Sequence, residues 1–217
     1  MTNPNLTLIA ALLDRSGSMQ DCKRATETGF DEMINQQRGE PGETIVTLSQ
    51  FDNIYENVYA NVPIADVSPL RMSPRNATAM LDAIGRFITE IGEHLAGLEE
   101  AGRPDTVICL VMTDGYENAS QEWNWEAVKS LITQQREQYN WQFMFLGANI
   151  DAVQVGGRIG VPEATSMTYN ADDDIAVRAT YVSAGRAMSS RRLGEAMDFS
   201  AEERLQARGD KSKKNKK

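Results

Sequence analysis

The sequence predicts a three-layer α/β fold, in which helices cover both faces of a doubly wound, mostly parallel sheet with one antiparallel edge strand. Short apolar segments alternate along the chain with segments whose apolar residues recur at helical spacing. This alternation is typical of parallel sheets with helices on both faces. With 217 residues, of which 41% are hydrophobic, the chain can form one domain with a substantial core.

The first part of the chain predicts two buried strands, a helix between them and a hairpin. Leu6 to Leu13 is almost entirely apolar, which is typical of a strand buried on both faces. Apolar residues at helical spacing predict a helix over Met19 to Gln37. Glu43 to Phe51 is the second strand. The turn signal Asp52-Asn53 and the more polar segment Ile54 to Val62 predict a hairpin that ends in an edge strand.

The rest of the chain continues the alternation after a loop with two prolines at residues 66–76. The predicted elements are a helix over 79–99, a strand over 106–112, a helix over 123–139, a strand over 141–146, a helix over 151–159, a strand over 165–169 and a helix over 172–189. We therefore expect one domain over residues 1–190. Residues 191–217 are polar and rich in lysine, and we expect them to be a disordered tail.

The composition argues against several classes of function. A formal net charge of −9 does not suit a nucleic-acid-binding protein, because affinity for phosphates needs a basic surface. No apolar run is long enough to span a membrane, and the N-terminal residues lack the pattern of a signal peptide. Two cysteines do not make a disulfide framework. We therefore expect a cytoplasmic protein with no nucleic-acid or membrane partner.

Small oxygen-bearing side chains follow two of the predicted strands. Asp14, Ser16 and Ser18 come directly after the apolar strand 6–13, and Asp114 follows the strand 106–112. In parallel α/β sheets, ligands bind outside the carboxyl ends of the strands. Carboxylate and hydroxyl oxygens suit a hard cation such as Mg²⁺. A magnesium site is therefore expected at this edge of the sheet.

Three separated segments resemble one family. Asp14-Arg15-Ser16-Gly17-Ser18 resembles the D-x-S-x-S motif of von Willebrand factor type A (VWA) domains, residues 76–84 resemble the family's loop threonine and the helix after it, and Thr113-Asp114-Gly115 is similar to its T-D-G motif. The order and spacing agree over roughly residues 5–190. The resemblance is to the intracellular VWA proteins of bacteria or phages, and it implies their Rossmann-like fold.

The resemblance also implies an intact metal-ion-dependent adhesion site (MIDAS). Ser16 and Ser18 would bind the cation directly, and Thr78 would do so in the ligand-competent arrangement. Asp14 and Asp114 would act mainly through bound waters or from outside the first ring of ligands. The family usually has glycine just before the threonine, whereas this chain has Asn76-Ala77, and asparagine tolerates unusual φ values better than most residues.

Two carboxylates and three neutral hydroxyls predict a protein-binding module rather than an enzyme. Such a donor set leaves the cation with residual positive charge and an open position, which an Asp or Glu side chain of a partner protein could fill. Mg²⁺ is the expected ion, with Mn²⁺ or Ca²⁺ as alternatives. Similar bacterial domains often work beside a MoxR-type ATPase, so the resemblance suggests a multi-component system of that kind.

Two other functions remain open. The first is a Mg²⁺-dependent hydrolase or phosphoryl-transfer enzyme, although the sequence has no G-x-x-x-x-G-K-[ST] loop and no obvious general base beside the site. The second is a structural component of a phage or another assembly, in which the site would be a clasp between subunits.

Simpler roles remain open for the same side chains. Asp14, Ser16 and Ser18 could form a helix N-cap, Thr78 could cap the helix after it, and Asp114 could belong to an ordinary turn. Packing, capping or a surface position is the expected role of the remaining candidates, which are Cys22, His94, Cys109, Trp123, Trp125, Asn149 and Asp151.

Overall fold

The computed structural model describes residues 1–209, and these residues form a six-stranded sheet. The strands are β1 (Asn3–Asp14), β2 (Glu43–Phe51), β3 (Tyr55–Pro63), β4 (Pro104–Thr113), β5 (Gln142–Ala148) and β6 (Ser166–Tyr169). Their order in the sheet is β3-β2-β1-β4-β5-β6. Only the β2–β3 pair is antiparallel among these strands. The predicted doubly wound sheet with one antiparallel edge strand is confirmed.

Among residues 1–209, five α-helices lie where the sequence predicts helices, and a sixth was not predicted. They are α1 (Lys23–Arg38), α2 (Met80–Gly97), α3 (Trp125–Tyr139), α4 (Ala152–Arg158), α5 (Asp174–Arg192) and α6 (Ala201–Arg208). The first predicted helix is divided, because a 3₁₀ turn at Gly17–Gln20 precedes α1. Among residues 1–209, none of the helices combines the length and the apolar character that crossing a bilayer requires.

Strand β1 lies at the centre of the sheet and is buried on both faces. Leu8, Ala10 and Leu12 contribute to the core on the side of α2, α3 and α4. The alternate residues Ile9, Ala11 and Leu13 contribute to the core on the side of α1 and α5. All six side chains are fully buried, which explains the nearly continuous apolar run in the sequence.

The sheet order creates a crevice at one edge of the sheet. The chain builds outward from β1 to β3, and then returns to place β4 on the other side of β1. At such a switch in strand order, the connections after neighbouring strands leave in opposite directions, and ligands bind there. Asp14 ends β1 and Thr113 ends β4, so Asp114 follows on the neighbouring strand. The topology thus places both motifs beside the same crevice.

The prediction of a disordered tail over residues 191–217 is wrong for residues 191–209. Helix α5 continues to Arg192, and α6 follows at Ala201–Arg208. Three apolar residues of this polar segment are buried in the domain core, namely Met197, Phe199 and Ala207. The lysine-rich residues 211–217 lie outside the described part of the chain.

Polar contacts join α6 to the exposed edge of the sheet. The Arg204 guanidinium donates hydrogen bonds to the main-chain carbonyls of Ser166 at 2.6 Å and Glu163 at 2.8 Å. Ser200 and Glu203 form a capping box at the start of the helix. A segment with few apolar residues is therefore ordered because it covers an edge strand, and sequence polarity alone does not reveal such a role.

Candidate metal centre

The crevice holds a connected row of oxygen atoms from the two motifs. Asp14 is fully buried, and its Oδ1 accepts a hydrogen bond from the backbone N–H of Ser16 at 2.6 Å. The hydroxyls of Ser16 and Ser18 lie 3.1 Å apart. The Ser18 hydroxyl donates to Oδ1 of Asp114 at 2.6 Å. The fold thus brings together four of the five predicted metal ligands through direct hydrogen bonds.

Thr113 orients the buried carboxylate, a role that the sequence motif did not reveal. Its hydroxyl donates to Oδ2 of Asp14 at 2.5 Å and accepts a hydrogen bond from the backbone N–H of Gly115 at 3.1 Å. The side chain that ends β4 therefore fixes both the Asp14 carboxylate and the turn that carries Asp114. Thr113 is the first residue of the T-D-G motif, and its place in that motif was the only sequence signal for this role.

Thr78, the fifth predicted ligand, lies against the same turn. A Cβ atom built on Gly115 would lie 2.9 Å from the Thr78 hydroxyl oxygen, so the turn can approach Thr78 only because residue 115 is glycine. The backbone of Thr78 is paired with Asn118, at 3.0 Å through its N–H and 3.1 Å through its carbonyl. Its hydroxyl forms no hydrogen bond with any part of residues 1–209, which leaves that oxygen available to a ligand.

Ser16 stands at the N-cap position of the 3₁₀ turn at Gly17–Gln20, but its side chain makes no capping hydrogen bond there. Helix α1 begins at Lys23 with Cys22 as its N-cap, so the motif side chains do not cap it. Helix α2 begins at Met80 with Ala79 as its N-cap, and no side chain caps that end. The hydroxyls of Ser16, Ser18 and Thr78 are therefore not used for helix capping in this structure.

Asn76 has a left-handed backbone conformation in the loop before Thr78, where VWA domains usually have a glycine. Its φ is 62°, in the left-handed region that asparagine tolerates better than most residues. Its carbonyl accepts a hydrogen bond from the backbone N–H of Gly17 at 3.2 Å. The loop that carries Thr78 is thereby joined directly to the loop that carries the serines.

Acidic side chains attach the loop after Asp114 to the start of α2. Glu117 accepts a hydrogen bond from the backbone N–H of Leu81 at 2.9 Å. Asp82 accepts three hydrogen bonds from the backbone N–H groups of residues 121–123, at 2.7–2.9 Å. These contacts hold the Asp114 turn and the Thr78 loop in one unit.

Trp123 packs on α2 at Gly85, where a Cβ atom would lie 2.1 Å from the indole ring. We expect Gly85→Ala to destabilise the protein by about 1–3 kcal/mol, because the tight contact has no room for a methyl group. Gly92→Ala on the same helix is the control, since a Cβ there meets nothing within 4 Å. It should stabilise the protein by up to about 1 kcal/mol through helix propensity. Urea denaturation measures both, and equal effects would contradict the packing role of Trp123.

The two carboxylates of the crevice carry uncompensated charge. The pKa of Asp14 is raised from 3.8 to about 6, mainly by burial and to a smaller extent by the nearby Asp114. Burial also raises the pKa of Asp114. Within residues 1–209, neither carboxylate forms an ion pair with an arginine, lysine or histidine side chain. Carboxylate oxygens without a cationic partner, next to serine hydroxyls, fit a hard cation such as Mg²⁺.

The remaining candidates lie elsewhere or have structural roles. Asn149 accepts a hydrogen bond from the backbone N–H of Ala171 at 3.4 Å, and Asp151 caps α4. Cys22 and Cys109 are buried free thiols, and His94 is exposed on α2. In the described part of the chain, no group of three or more His, Cys, Asp and Glu side chains could hold a metal ion. A cation site here therefore has to use the hydroxyls.

The sequence prediction missed an ionic cluster beside the site, in which two buried residues pair with two more exposed ones. It consists of Arg15, Asp52, Glu56 and Arg75, and we call it the Asp52 cluster. Asp52 is fully buried, and Arg15, which separates two predicted ligands, is nearly so. The sequence indicated only a turn at Asp52. Its position after β2, at the same edge of the sheet as Asp14, was the one available signal.

No family model and no curated protein matches this chain. Solved structures match it at low sequence identity. A von Willebrand factor type A protein from Catenulispora acidiphila is 13% identical with a TM-score of 0.58, and the match covers 89% of this chain and 43% of that one. The ArnB paralog VWA2 from Sulfolobus acidocaldarius is 15% identical with a TM-score of 0.53, covering 85% and 45%.

A third similar structure is proximal thread matrix protein 1 from the mussel byssus, with a zinc-occupied MIDAS motif. It is 17% identical with a TM-score of 0.53, and the match covers 83% of this chain and 47% of that one. This chain therefore spans less than half the length of each of the three proteins. At these identities the likeness concerns the fold.

Proposed function

We propose that this chain, which has the fold of von Willebrand factor type A domains, is a metal-dependent protein-binding module. The observation that carries the proposal is a pair of carboxylates, the fully buried Asp14 and the half-buried Asp114, which lack a cationic partner within residues 1–209 and lie beside the hydroxyls of Ser16 and Ser18. A cation at this place would balance their charge. The proposed ligands are Asp14, Ser16, Ser18, Thr78 and Asp114.

The donor chemistry favours Mg²⁺, with Mn²⁺ or Ca²⁺ as alternatives. All five side chains offer oxygen, and three of them are neutral hydroxyls. When bound, such an ion would supply a positive centre with a coordination position for an Asp or Glu carboxylate of a partner protein. We propose that this acidic side chain is the central contact of the interaction.

The hydrogen bonds of Asp14 and Asp114 favour a binding function over a catalytic one. Asp14 accepts hydrogen bonds from the Ser16 N–H and the Thr113 hydroxyl, and Asp114 accepts one from Ser18. These hydrogen bonds fix the carboxylates as acceptors, which suits groups that hold an ion. We therefore propose a non-enzymatic module of a cytoplasmic, multi-component system. From the family resemblance we propose a MoxR-type ATPase as a member of that system.

Removing a proposed ligand tests the metal site. We expect Ser16→Ala to lower the affinity for Mg²⁺ by about tenfold or more, because the variant removes one coordinating oxygen but no core packing. Isothermal titration calorimetry measures the affinity. Ser68→Ala is the control, because Ser68 is an exposed serine in the loop before Thr78. Equal affinity of Ser16→Ala and the wild type would contradict the proposed site.

A pull-down from the native host, with and without a chelator, tests the interaction itself. The proposal predicts a partner that the wild type retains with Mg²⁺, and that the Ser16→Ala variant and the chelated wild type both lose. A partner that remains bound in excess chelator would overturn the metal bridge.

A further inference from the structure

Asp52 lies outside both loops that carry the proposed ligands, but its carboxylate contacts residues of both. Oδ2 accepts a hydrogen bond from Nε of Arg15 at 3.2 Å and one from Nε of Arg75 at 2.8 Å. Arg15 stands between Asp14 and Ser16, and Arg75 stands shortly before Thr78. A single oxygen atom at the end of β2 thus joins the two loops.

The backbone around Asp52 makes the same connection. The Asp52 carbonyl accepts a hydrogen bond from the N–H of Ala79 at 2.9 Å, and the Arg15 carbonyl accepts one from the N–H of Arg75 at 2.9 Å. The Thr78 loop is thus attached on both sides of the threonine. The Thr78 hydroxyl itself makes no hydrogen bond within residues 1–209, so the position of that oxygen depends on the backbone that carries it and on its packing against Gly115.

We propose that Asp52 and Arg75 are positioning residues, which hold the Thr78 hydroxyl at the distance that the ion requires. This inference rests on the proposed function. Ligands of a metal site have to be held within about 0.5 Å of their productive positions, usually by a supporting set of hydrogen bonds. The direct bonds that align the two serines and both carboxylates do not include Thr78, so the Asp52 cluster would supply its support.

Arg75 could affect cation binding by positioning Thr78 or by its positive charge, and the two effects have opposite signs. Arg75 is cationic and its side chain is 48% exposed, so its removal costs little core packing. If Arg75 acted only through its field, replacing it with alanine would strengthen the binding of a cation, because a nearby positive charge would be lost. If Arg75 instead positions Thr78, its replacement with alanine would weaken the binding of the cation.

A double-mutant cycle with Arg75→Ala and Thr78→Ala tests the inference, with Mg²⁺ affinity measured by calorimetry. We expect Arg75→Ala to weaken binding about tenfold in the wild-type background, and by less than about twofold when Thr78 is already alanine. Arg71→Ala is the control, because Arg71 is an exposed arginine of the same loop that bonds only a main-chain carbonyl, that of Leu70. It should leave the affinity unchanged.

Three outcomes would overturn the inference. Unchanged or tighter binding by Arg75→Ala would exclude positioning, and an equal loss in the Thr78→Ala background would mean that Arg75 does not act through the threonine. In both cases the wild type still binds Mg²⁺, and the proposed function stands. Absence of Mg²⁺ binding by the wild type would overturn the proposed function and this inference together.

Discussion

Asp14→Asn is expected to abolish the stabilisation of this protein by Mg²⁺ and to make the metal-free form more stable. Asp14 is fully buried, and its pKa is raised to about 6 mainly by that burial. Asparagine can still accept the hydrogen bond from the Ser16 N–H, and it can donate one to the Thr113 hydroxyl, which has a second acceptor in the Gly115 carbonyl at 3.2 Å. The substitution therefore removes charge and keeps the local geometry.

The sign of the effect follows from proton linkage. Because the pKa of Asp14 is higher in the folded chain than its ordinary value of 3.8, the folded state binds a proton more tightly than the unfolded state does. Stability from this group is complete below pH 3.8 and is lost as the pH rises through about 6. At pH 7 the ionised form costs the metal-free protein roughly 3 kcal/mol, which Asp14→Asn should recover in large part.

Thermal unfolding at pH 7, with and without Mg²⁺, measures both consequences. The Tm of the metal-free variant should exceed that of the metal-free wild type by about 5 °C or more. Added Mg²⁺ should raise the Tm of the wild type and leave that of Asp14→Asn unchanged. Asp151→Asn is the control, because this exposed residue caps α4 and is not one of the proposed ligands. If Mg²⁺ still raises the Tm of Asp14→Asn, Asp14 is not one of the ligands.

Asp52→Ala is expected to destabilise the protein by about 3–5 kcal/mol, because removing the buried partner of an ion pair leaves the buried Arg15 charge only partly compensated. The Arg15 side chain is only 6% exposed, and Nη2 of its guanidinium already lacks a hydrogen-bond partner within residues 1–209. Without Asp52 it would retain one carboxylate, that of Glu56 at 2.5 Å, whose side chain is 55% exposed.

Urea denaturation measures this loss, and a second substitution tests its cause. Arg15→Met in the Asp52→Ala background removes the stranded charge and should restore much of the stability, since apolar replacements of buried ion pairs are often neutral. Asp66→Ala, at an exposed aspartate in the segment that follows β3, should change the stability by less than about 0.5 kcal/mol. A loss below about 1 kcal/mol for Asp52→Ala would mean that the buried pair contributes little to stability.

The order of the elements could be predicted because burial leaves a local pattern. The run Leu6 to Leu13 is apolar at every position but one, and its side chains contact helices on both faces of the sheet. The antiparallel edge strand could be predicted from the Asp52-Asn53 turn and the polarity after it. In each case residues close in the chain report which side of an element faces the core.

The order of α6 could not be predicted, because its stability depends on contacts with distant residues. Residues 201–208 are mostly polar, and their helix is held by Arg204 on the carbonyls near β6 and by the ion pair between Arg186 and Glu203. Sequence polarity describes a segment in water, whereas this segment covers a sheet edge. The same reason explains why the packing of Trp123 on Gly85 required the tertiary structure.

The sequence by itself determined the fold class and the chemistry of the candidate site, because the strand pattern and the Asp-x-Ser-x-Ser spacing are local. Only the tertiary structure decided that Asp114 contacts Ser18, that Thr78 approaches the turn at Gly115, and that Arg15 turns inward to Asp52. These pairings join residues far apart in the chain, so no local pattern encodes them. They depend on the switch in strand order between β1 and β4 and on the packing of the loops that follow β1, β2 and β4.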